Sequence, residues 1–350
     1  MTGNKIILED LEQIIGSNLN WSVFTGKTVL ITGANGFLPA YMVETLLFLE
    51  YQGIIKNVRV LALVRNIEKA RTRFKYYLNN QNLEFILQDV CDPIYIEEKI
   101  DFIIHAASQA SPKYYGIDPV GTLSANILGT INMMKLAQTH SIESFLYFSS
   151  SEVYGNLENS KIPTTEVDYG YLDPTNIRSC YAEGKRMGET ICVSWLHQFG
   201  IPSKIIRPFH TYGPCMALDD GRVYADFIAD IVLNRNIVMK SDGKARRTFC
   251  YLSDATIASF MILLNGKNGE AYNVGNSDCE ISVIQLARKL VKLFPERKLK
   301  VVVNEIQNSG YLKSKVLRNC PDLSKIKKLG WIPTVNIDNG FHRTVLSYIN

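Results

Sequence analysis

The chain lacks any apolar run approaching the ~18 residues that a membrane-crossing helix needs. It has no cluster of basic residues either: 38 lysines and arginines are spread among 34 acids, for a net charge of +4. A nucleic-acid surface is therefore not expected, and the small basic excess suits an anionic small molecule. No CxxC pair occurs. The seven cysteines (Cys91, Cys180, Cys192, Cys215, Cys250, Cys279 and Cys320) are odd in number and scattered, which points to reduced thiols and a cytoplasmic setting. The five histidines show no metal-ligand spacing with them, so no metal is expected. There is no low-complexity tract, internal repeat or basic-then-apolar leader. The early stretch "IILEDLEQII" carries acids and reads as a short amphipathic helix.

What is present is alternation. Buried-strand patterns recur at "KTVLITGANGF" (27–37), "NVRVLALVRN" (57–66), "LEFILQDV" (83–90), "IDFIIHAAS" (100–108), "SFLYFSS" (144–150) and "SKIIRPF" (203–209). Helical patterns separate most of them. Such alternation predicts an α/β fold built on a doubly wound parallel sheet of Rossmann type. Beyond about residue 210 turns become denser, which predicts a smaller, interleaved lobe. The expected division is an extension over 1–26, a dinucleotide-binding domain over 27–209 with 242–270 returning to it, and a substrate lobe over 210–241 and 271–350.

Gly33 and Gly36 follow the first strand and open a helix. In that context a glycine turn lets backbone amides approach a pyrophosphate at the helix N-terminus. The third glycine of the usual fingerprint is missing, and Pro39 stands in its place. Proline is tolerated in a first helical turn, where its N–H would have no partner. The second strand ends in Arg65 instead of the acid that marks NAD, so NAD+ and NADP+ both remain open. Asp89 and Val90, after the third strand, are placed to flank an adenine.

"RSCYAEGKRMGE" (178–189) puts Tyr181 and Lys185 on one helix face. Half-ionising a phenol at neutral pH requires about 4 kcal/mol. An ammonium about 5 Å away contributes roughly 3 kcal/mol at an effective dielectric of ~20. With an oxidised nicotinamide nearby, Tyr181 is expected to take a proton from a sugar hydroxyl, and Lys185 to hold the nicotinamide ribose. "FSSSEVYG" (148–155) adds Ser150, able to share that proton, and the carboxylate of Glu152.

Together with "ASQASPKYY", "YLDPTNIRSCYAEGKRMGET", "HTYGPCMALDDGRVYADFI" and "KKLGWIP", these motifs make the chain resemble an extended short-chain dehydrogenase/reductase acting on nucleotide sugars. Within that group it is most similar to UDP-glucuronate decarboxylases (UDP-xylose synthases), from about residue 27 to the C-terminus. The resemblance implies oxidation at the sugar C4, chemistry at C5/C6, and usually return of the hydride. It implies Ser150, Ser151, Glu152, Tyr181 and Lys185 as the chemical set. It places Gly33, Asn35, Gly36, Phe37, Leu38, Arg65, Asp89, Val90, Ala106, Ala107, Asn126 and Lys185 with the cofactor, and Ser111, His210, Arg222, Arg247 and Arg318 with the substrate. NAD is the cofactor usual to the group, and a homodimer paired through the Tyr181 helix is implied. Ser151 stands where 4,6-dehydratases usually carry an aspartate, which favours decarboxylation. GDP-mannose dehydratases also have serine there, so dehydration or C4 epimerisation stays an alternative, and a dinucleotide-binding regulator without turnover a remote one. His210 replaces an asparagine, Cys215 an arginine and Ser324 a frequent basic residue, all expected at the substrate end.

Overall fold

The computed structural model describes residues 2–304 and 316–349. A first helix, α1 (Lys5–Ile15), is capped by the Asn4 side chain, which accepts from the amides of Ile6 and Ile7. Then come β1 (Thr28–Thr32), α2 (Phe37–Tyr51), β2 (Arg59–Val64), α3 (Ile67–Arg73), β3 (Leu83–Leu87), β4 (Phe102–His105), α4 (Pro119–His140), β5 (Ser144–Phe148), α5 (Ser179–Phe199) and β6 (Ser203–Pro208). The rest is β7 (His210–Tyr212), α6 (Val223–Val232), β8 (Ile237–Met239), β9 (Arg246–Tyr251), α7 (Leu252–Asn265), β10 (Ala271–Val274), β11 (Glu280–Ser282), α8 (Val283–Leu293), β12 (Val301–Val303), β13 (Arg318–Asn319), α9 (Ser324–Lys327) and α10 (Ile337–Ile349).

Seven strands form one parallel sheet in the order β10-β6-β5-β4-β1-β2-β3. Strand order reverses between β1 and β4, and a crevice opens there at the carboxyl ends. Apart from the partly exposed edge strand β3, the strands are buried on both faces, hence their continuous Val/Ile/Leu runs. Helix α2 is buried on nearly every side, so it reads as apolar all round and not as amphipathic. One core lies under α1, α2 and α7 and a second under α4 and α5. A third fills the small lobe, where β9 pairs with β7, β11 and β13. Among the described residues no helix is long and apolar enough to cross a membrane.

The boundary expected at residue 270 is corrected. Ala271–Val274 pairs in parallel with Ile205–Pro208 and closes the edge of the large sheet. A four-residue strand carries too little pattern to announce its partner. Conversely, Arg246–Tyr251 belongs to the small sheet, and only α7 returns to the large one.

The first 26 residues are part of the core. Trp21 packs edge-on to Phe260 at 5.1 Å, and Phe24 is fully buried. Asp10, with no exposed surface, accepts from the hydroxyls of Tyr41 on α2 (3.0 Å) and Tyr251 on β9 (2.9 Å). It also pairs with Arg343 on α10 at 2.7 Å. One carboxylate therefore joins the extension, the large lobe and the small lobe. Deleting it leaves a guanidinium and two phenols without their partner, and breaking such a buried pair costs about 3 kcal/mol or more. Asp10→Ala is expected to lower stability by that amount in denaturant unfolding at neutral pH, whereas Glu9→Ala, at an exposed partner of Arg343, is expected to lower it by well under half as much.

Candidate active site

The site begins where β1 and β4 end side by side. Thr32 Oγ1 accepts from the amides of Ala106 and Ala107, both at 3.1 Å, and lies 2.8 Å from His105 Nδ1. Burial pushes the His105 imidazole down to about 3, so it is neutral. This clamp brings Ala107 so close to Gly33 that a Cβ on residue 33 would sit 2.8 Å from the Ala107 Cα. Gly33 also has φ +62°, a backbone glycine adopts without strain. Gly36 caps α2, and Pro39 lies in its first turn, where no N–H is needed.

Beyond the turn runs a cleft of about 460 Å³. Gly33, Asn35, Gly36, Phe37 and Leu38 line one wall, and Arg65, Asp89, Val90, Ala106 and Ala107 another. Arg65 Nη1 is 3.5 Å from Asp89 Oδ2, so the cleft carries beside Arg65 the carboxylate that β2 itself lacks. The concave glycine wall, the α2 N-terminus and this charged pair fit an extended dinucleotide. Asn126 does not line the cleft, contrary to its expected place with the cofactor. It is fully buried on α4, donates to the Thr122 carbonyl, and packs against Gly184 of α5. Its neighbour Ala125 reaches the cleft instead.

The reacting groups come from the end of β5 and the start of α5. Ser150 caps a short 3-10 turn over Ser151–Tyr154, its hydroxyl accepting from the Glu152 amide at 3.2 Å. Glu152 pairs with Arg178 at 3.1 Å, so it is a held carboxylate rather than a loose turn acid. Lys185 Nζ donates to the Phe148 carbonyl at 2.5 Å and lies 5.8 Å from the Tyr181 ring centroid. Ser150, Ser151, Glu152, Tyr181 and Lys185 all face the cleft.

The electrostatics reverse the sequence-based expectation. Burial raises the Tyr181 phenol above its ordinary value, and a hydrogen bond with Ser150 only partly opposes it. Burial lowers Lys185 to about 7. In a dry site the loss of hydration is the largest cause of both shifts. These residues alone leave Tyr181 protonated, and its ionisation depends on positive charge entering with the ligands.

A second chamber of about 350 Å³ continues from the first, sharing Ser151, Glu152, His210, Arg222 and Tyr224. Arg222 donates to the Ala110 carbonyl at 3.0 Å and pairs with Asp220 at 3.1 Å. His210 packs against Tyr224 and Phe249, with Nδ1 buried and unpartnered. Burial, with Arg247 and Arg222 nearby, holds its imidazole well below the usual histidine range. Arg247 lines this chamber, with its guanidinium donating to the carbonyls of Arg246 and Val316. Four positions fall elsewhere. Ser111 bonds the Asp220 carbonyl behind the wall. Arg318 lines neither chamber and grips Glu280 at 2.7 and 3.0 Å. Cys215 also lies outside both, near Glu44 and Arg73, so its difference from arginine does not touch the substrate end. Ser324 starts α9, likewise outside both chambers.

Sequence reasoning missed Tyr115, which lines the cleft and stacks on Tyr181 with centroids 5.1 Å apart and planes at 16°. Its signal was the aromatic pair in "ASPKYY", but a contact between residues 66 positions apart cannot be read from spacing.

A parallel sheet with a glycine crevice at its switch point and a Ser–Tyr–Lys set facing it defines a dinucleotide-dependent enzyme of the short-chain dehydrogenase class. The model of the NAD dependent epimerase/dehydratase family matches residues 29–275, and the chain belongs to that family. UDP-glucuronic acid decarboxylase 6 of Arabidopsis thaliana is 35% identical over 314 residues, 89% of this chain and 86% of that protein. UDP-glucuronic acid decarboxylase 1 of Xenopus tropicalis is 33% identical over 320 residues, covering 91% and 71%. Among solved structures, UDP-N-acetylglucosamine 4-epimerase of Methanobrevibacter ruminantium in complex with UDP-N-acetylmuramic acid shares the fold. Its TM-score is 0.78 at 21% identity, over 93% of this chain and 99% of that one. DesIV of Streptomyces venezuelae, a dTDP-glucose 4,6-dehydratase with NAD and TYD bound, gives 0.76 at 22% identity, covering 92% and 96%.

Gly33→Ala is expected to weaken binding of the dinucleotide, titrated as NAD+ and as NADP+, at least tenfold (about 1.4 kcal/mol) in calorimetry, because the added methyl meets backbone rather than a movable side chain.

Proposed function

We propose that this protein decarboxylates a nucleotide-linked hexuronic acid, with UDP-glucuronate as the first candidate. The observation carrying this reading is Ser151 beside Glu152 in the cleft that holds Tyr181, in a chain 35% identical to a UDP-glucuronic acid decarboxylase. Serine offers no strong acid to expel a C6 hydroxyl, and decarboxylation needs none.

A dinucleotide held by the glycine turn, the Arg65–Asp89 pair and Lys185 would supply the acceptor, and afterwards the donor, of the C4 hydride. Tyr181 takes the proton of the C4 hydroxyl, with Ser150 bridging. A ketone at C4 makes the C6 carboxylate a β-keto acid. The C5–C6 bond then breaks, carbon dioxide leaves, and the electron pair passes to the C4 oxygen. Ser150 and the Tyr181 hydroxyl donate to that enolate. Glu152, at the same wall, is placed to handle the proton at C5. Arg222 and Arg247 bind the anionic groups of the substrate, and the orphan His210 Nδ1 takes a polar group of the sugar or diphosphate.

Asp89 supports NAD+, since it can accept from the adenosine ribose hydroxyls while its pairing with Arg65 makes that arginine a poor dedicated clamp for a 2′-phosphate. Arg65 also supports the alternative of an NADP+-dependent dehydratase. Product mass separates the readings. Incubation of the NAD+-loaded enzyme with UDP-glucuronate is expected to release carbon dioxide, whereas loss of water from, or mass-neutral inversion of, a UDP-hexose with the uronate left intact would sink the proposal. Tyr181→Phe is expected to lower turnover by about 10²-fold or more.

A homodimer is part of the same reading. Val120 and Leu128 on α4 and Met187 and Val193 on α5 are exposed apolar residues on two neighbouring helices, the material of an interhelical interface. Sedimentation is expected to show a dimer for the wild type and a monomer for Leu128→Glu/Val193→Glu; identical sedimentation of the two would remove the helix pair as the interface.

A further inference from the structure

Tyr181 sits in a layered assembly that no residue of the proposed proton path accounts for. Tyr115 stacks on it nearly face to face, 5.1 Å apart. The Arg178 guanidinium lies 5.9 Å from the Tyr115 ring centroid, and Lys185 Nζ lies 5.8 Å from that of Tyr181. Two rings therefore sit with two cations in contact distance, a favourable arrangement for the π faces. Arg178, Tyr181 and Lys185 lie at i, i+3 and i+7, one face at the start of α5. Tyr115 comes from the loop before α4. Its hydroxyl donates to the Ala110 carbonyl at 3.1 Å, the same oxygen that receives Arg222. Arg178 in turn holds Glu152. The stack thus ties the phenol, the carboxylate and the substrate arginine together, and Tyr115 is its one member from outside α5.

We propose that Tyr115 is a positioning residue for proton transfer: its ring, tethered by Arg178, fixes the plane of Tyr181 relative to Glu152 and the sugar. This rests on the reading of Tyr181 as the group that takes the C4 proton. A tyrosine side chain rotates about two bonds, and one hydrogen bond through its hydroxyl does not fix the ring plane. A second ring stacked on it does, and it also keeps water off the phenol. The hydroxyl of Tyr115 is bound to a backbone carbonyl, so its part is to hold the ring and not to exchange protons.

The test compares NAD+-loaded wild type, Tyr115→Leu, Tyr115→Phe and Arg178→Gln on UDP-glucuronate and on UDP-glucose. Reduced-nicotinamide absorbance and product mass are followed across pH, and UDP affinity is measured by calorimetry. Tyr115→Leu is expected to lose about 10²-fold in kcat, the scale of a misplaced reacting group, with UDP affinity kept. The acidic limb of its kcat profile moves to lower pH, because burial is what raises the Tyr181 phenol and hydration relieves it. Tyr115→Phe recovers both kcat and the limb. Arg178→Gln, which removes the tether but leaves the rings packed and the phenol dry, shows a smaller loss in kcat without that downward movement, and keeps the proposal testable if the leucine variant does not fold, since an unchanged kcat there overturns it. An unchanged kcat in Tyr115→Leu overturns the proposal, as does a rise in KM alone, or a Phe variant as impaired as the Leu variant. A wild type that converts UDP-glucose and leaves UDP-glucuronate intact overturns the decarboxylase reading instead, and the ring comparison is then read on UDP-glucose.

Discussion

The tie between Lys185 and the Phe148 carbonyl governs the geometry of the whole site. It fastens α5 to the end of β5, so that Ser150, two residues past the strand, and Tyr181, one turn before Lys185, face the same space. The tie is made by a fully desolvated amine, which is costly to charge, and burial accordingly brings Lys185 down to about 7. Between that value and the ordinary lysine range the unfolded chain binds more protons than the folded one. Stability of the ligand-free protein therefore rises with pH across that window as far as this residue is concerned. The fold carries an unfavourable local term at the place where reactivity is needed.

Close packing elsewhere holds this arrangement. Helices α4 and α5 approach closely because Gly184 lies against Asn126, and a Cβ there would come within 3.2 Å of the Asn126 Cβ. At the other end of the crevice the Thr32 clamp draws β4 onto the glycine turn. The first contact lies behind the cleft and the second holds Ala106 and Ala107 of its wall against Gly33. The Asp10 hub acts at larger scale, since it bonds α2, β9 and α10 at once and so couples the wall of the cofactor crevice to the small lobe that carries Arg247.

The two lobes differ in how they meet the ligand. The large lobe lines the first chamber with the glycine turn and small residues beside the Arg65–Asp89 pair; the small lobe lines the second with arginines and an unpartnered imidazole nitrogen. Several arginines near the second chamber have other work. Arg318 and Arg246 both hold Glu280, which they keep down at about 2, and so join β13, β9 and β11. A guanidinium engaged in this way is a poor candidate for releasing and rebinding substrate.

The order of alternating elements, the glycine turn and the Tyr181–Lys185 face were legible in the linear sequence, because each is local: strand and helix periods, a two-glycine turn and an i, i+4 spacing involve neighbours along the chain. The small strands were not legible, since β10 and β9 are defined by which strand they pair with and not by their own few residues. Nor were the fates of Asn126, Arg318 and Cys215, which the resemblance put at the cofactor or the substrate end and which only the packing shows lying elsewhere. The stack of Tyr115 on Tyr181 and the meeting of Asp10 with Arg343 join residues far apart in the chain, and the sign of the Tyr181 and Lys185 shifts depends on how much water the assembled fold excludes. The sequence by itself determined the architecture and singled out the candidate reacting groups; only the tertiary structure decided which of them share a dry cleft, because desolvation and long-range contact exist only once the chain has closed on itself.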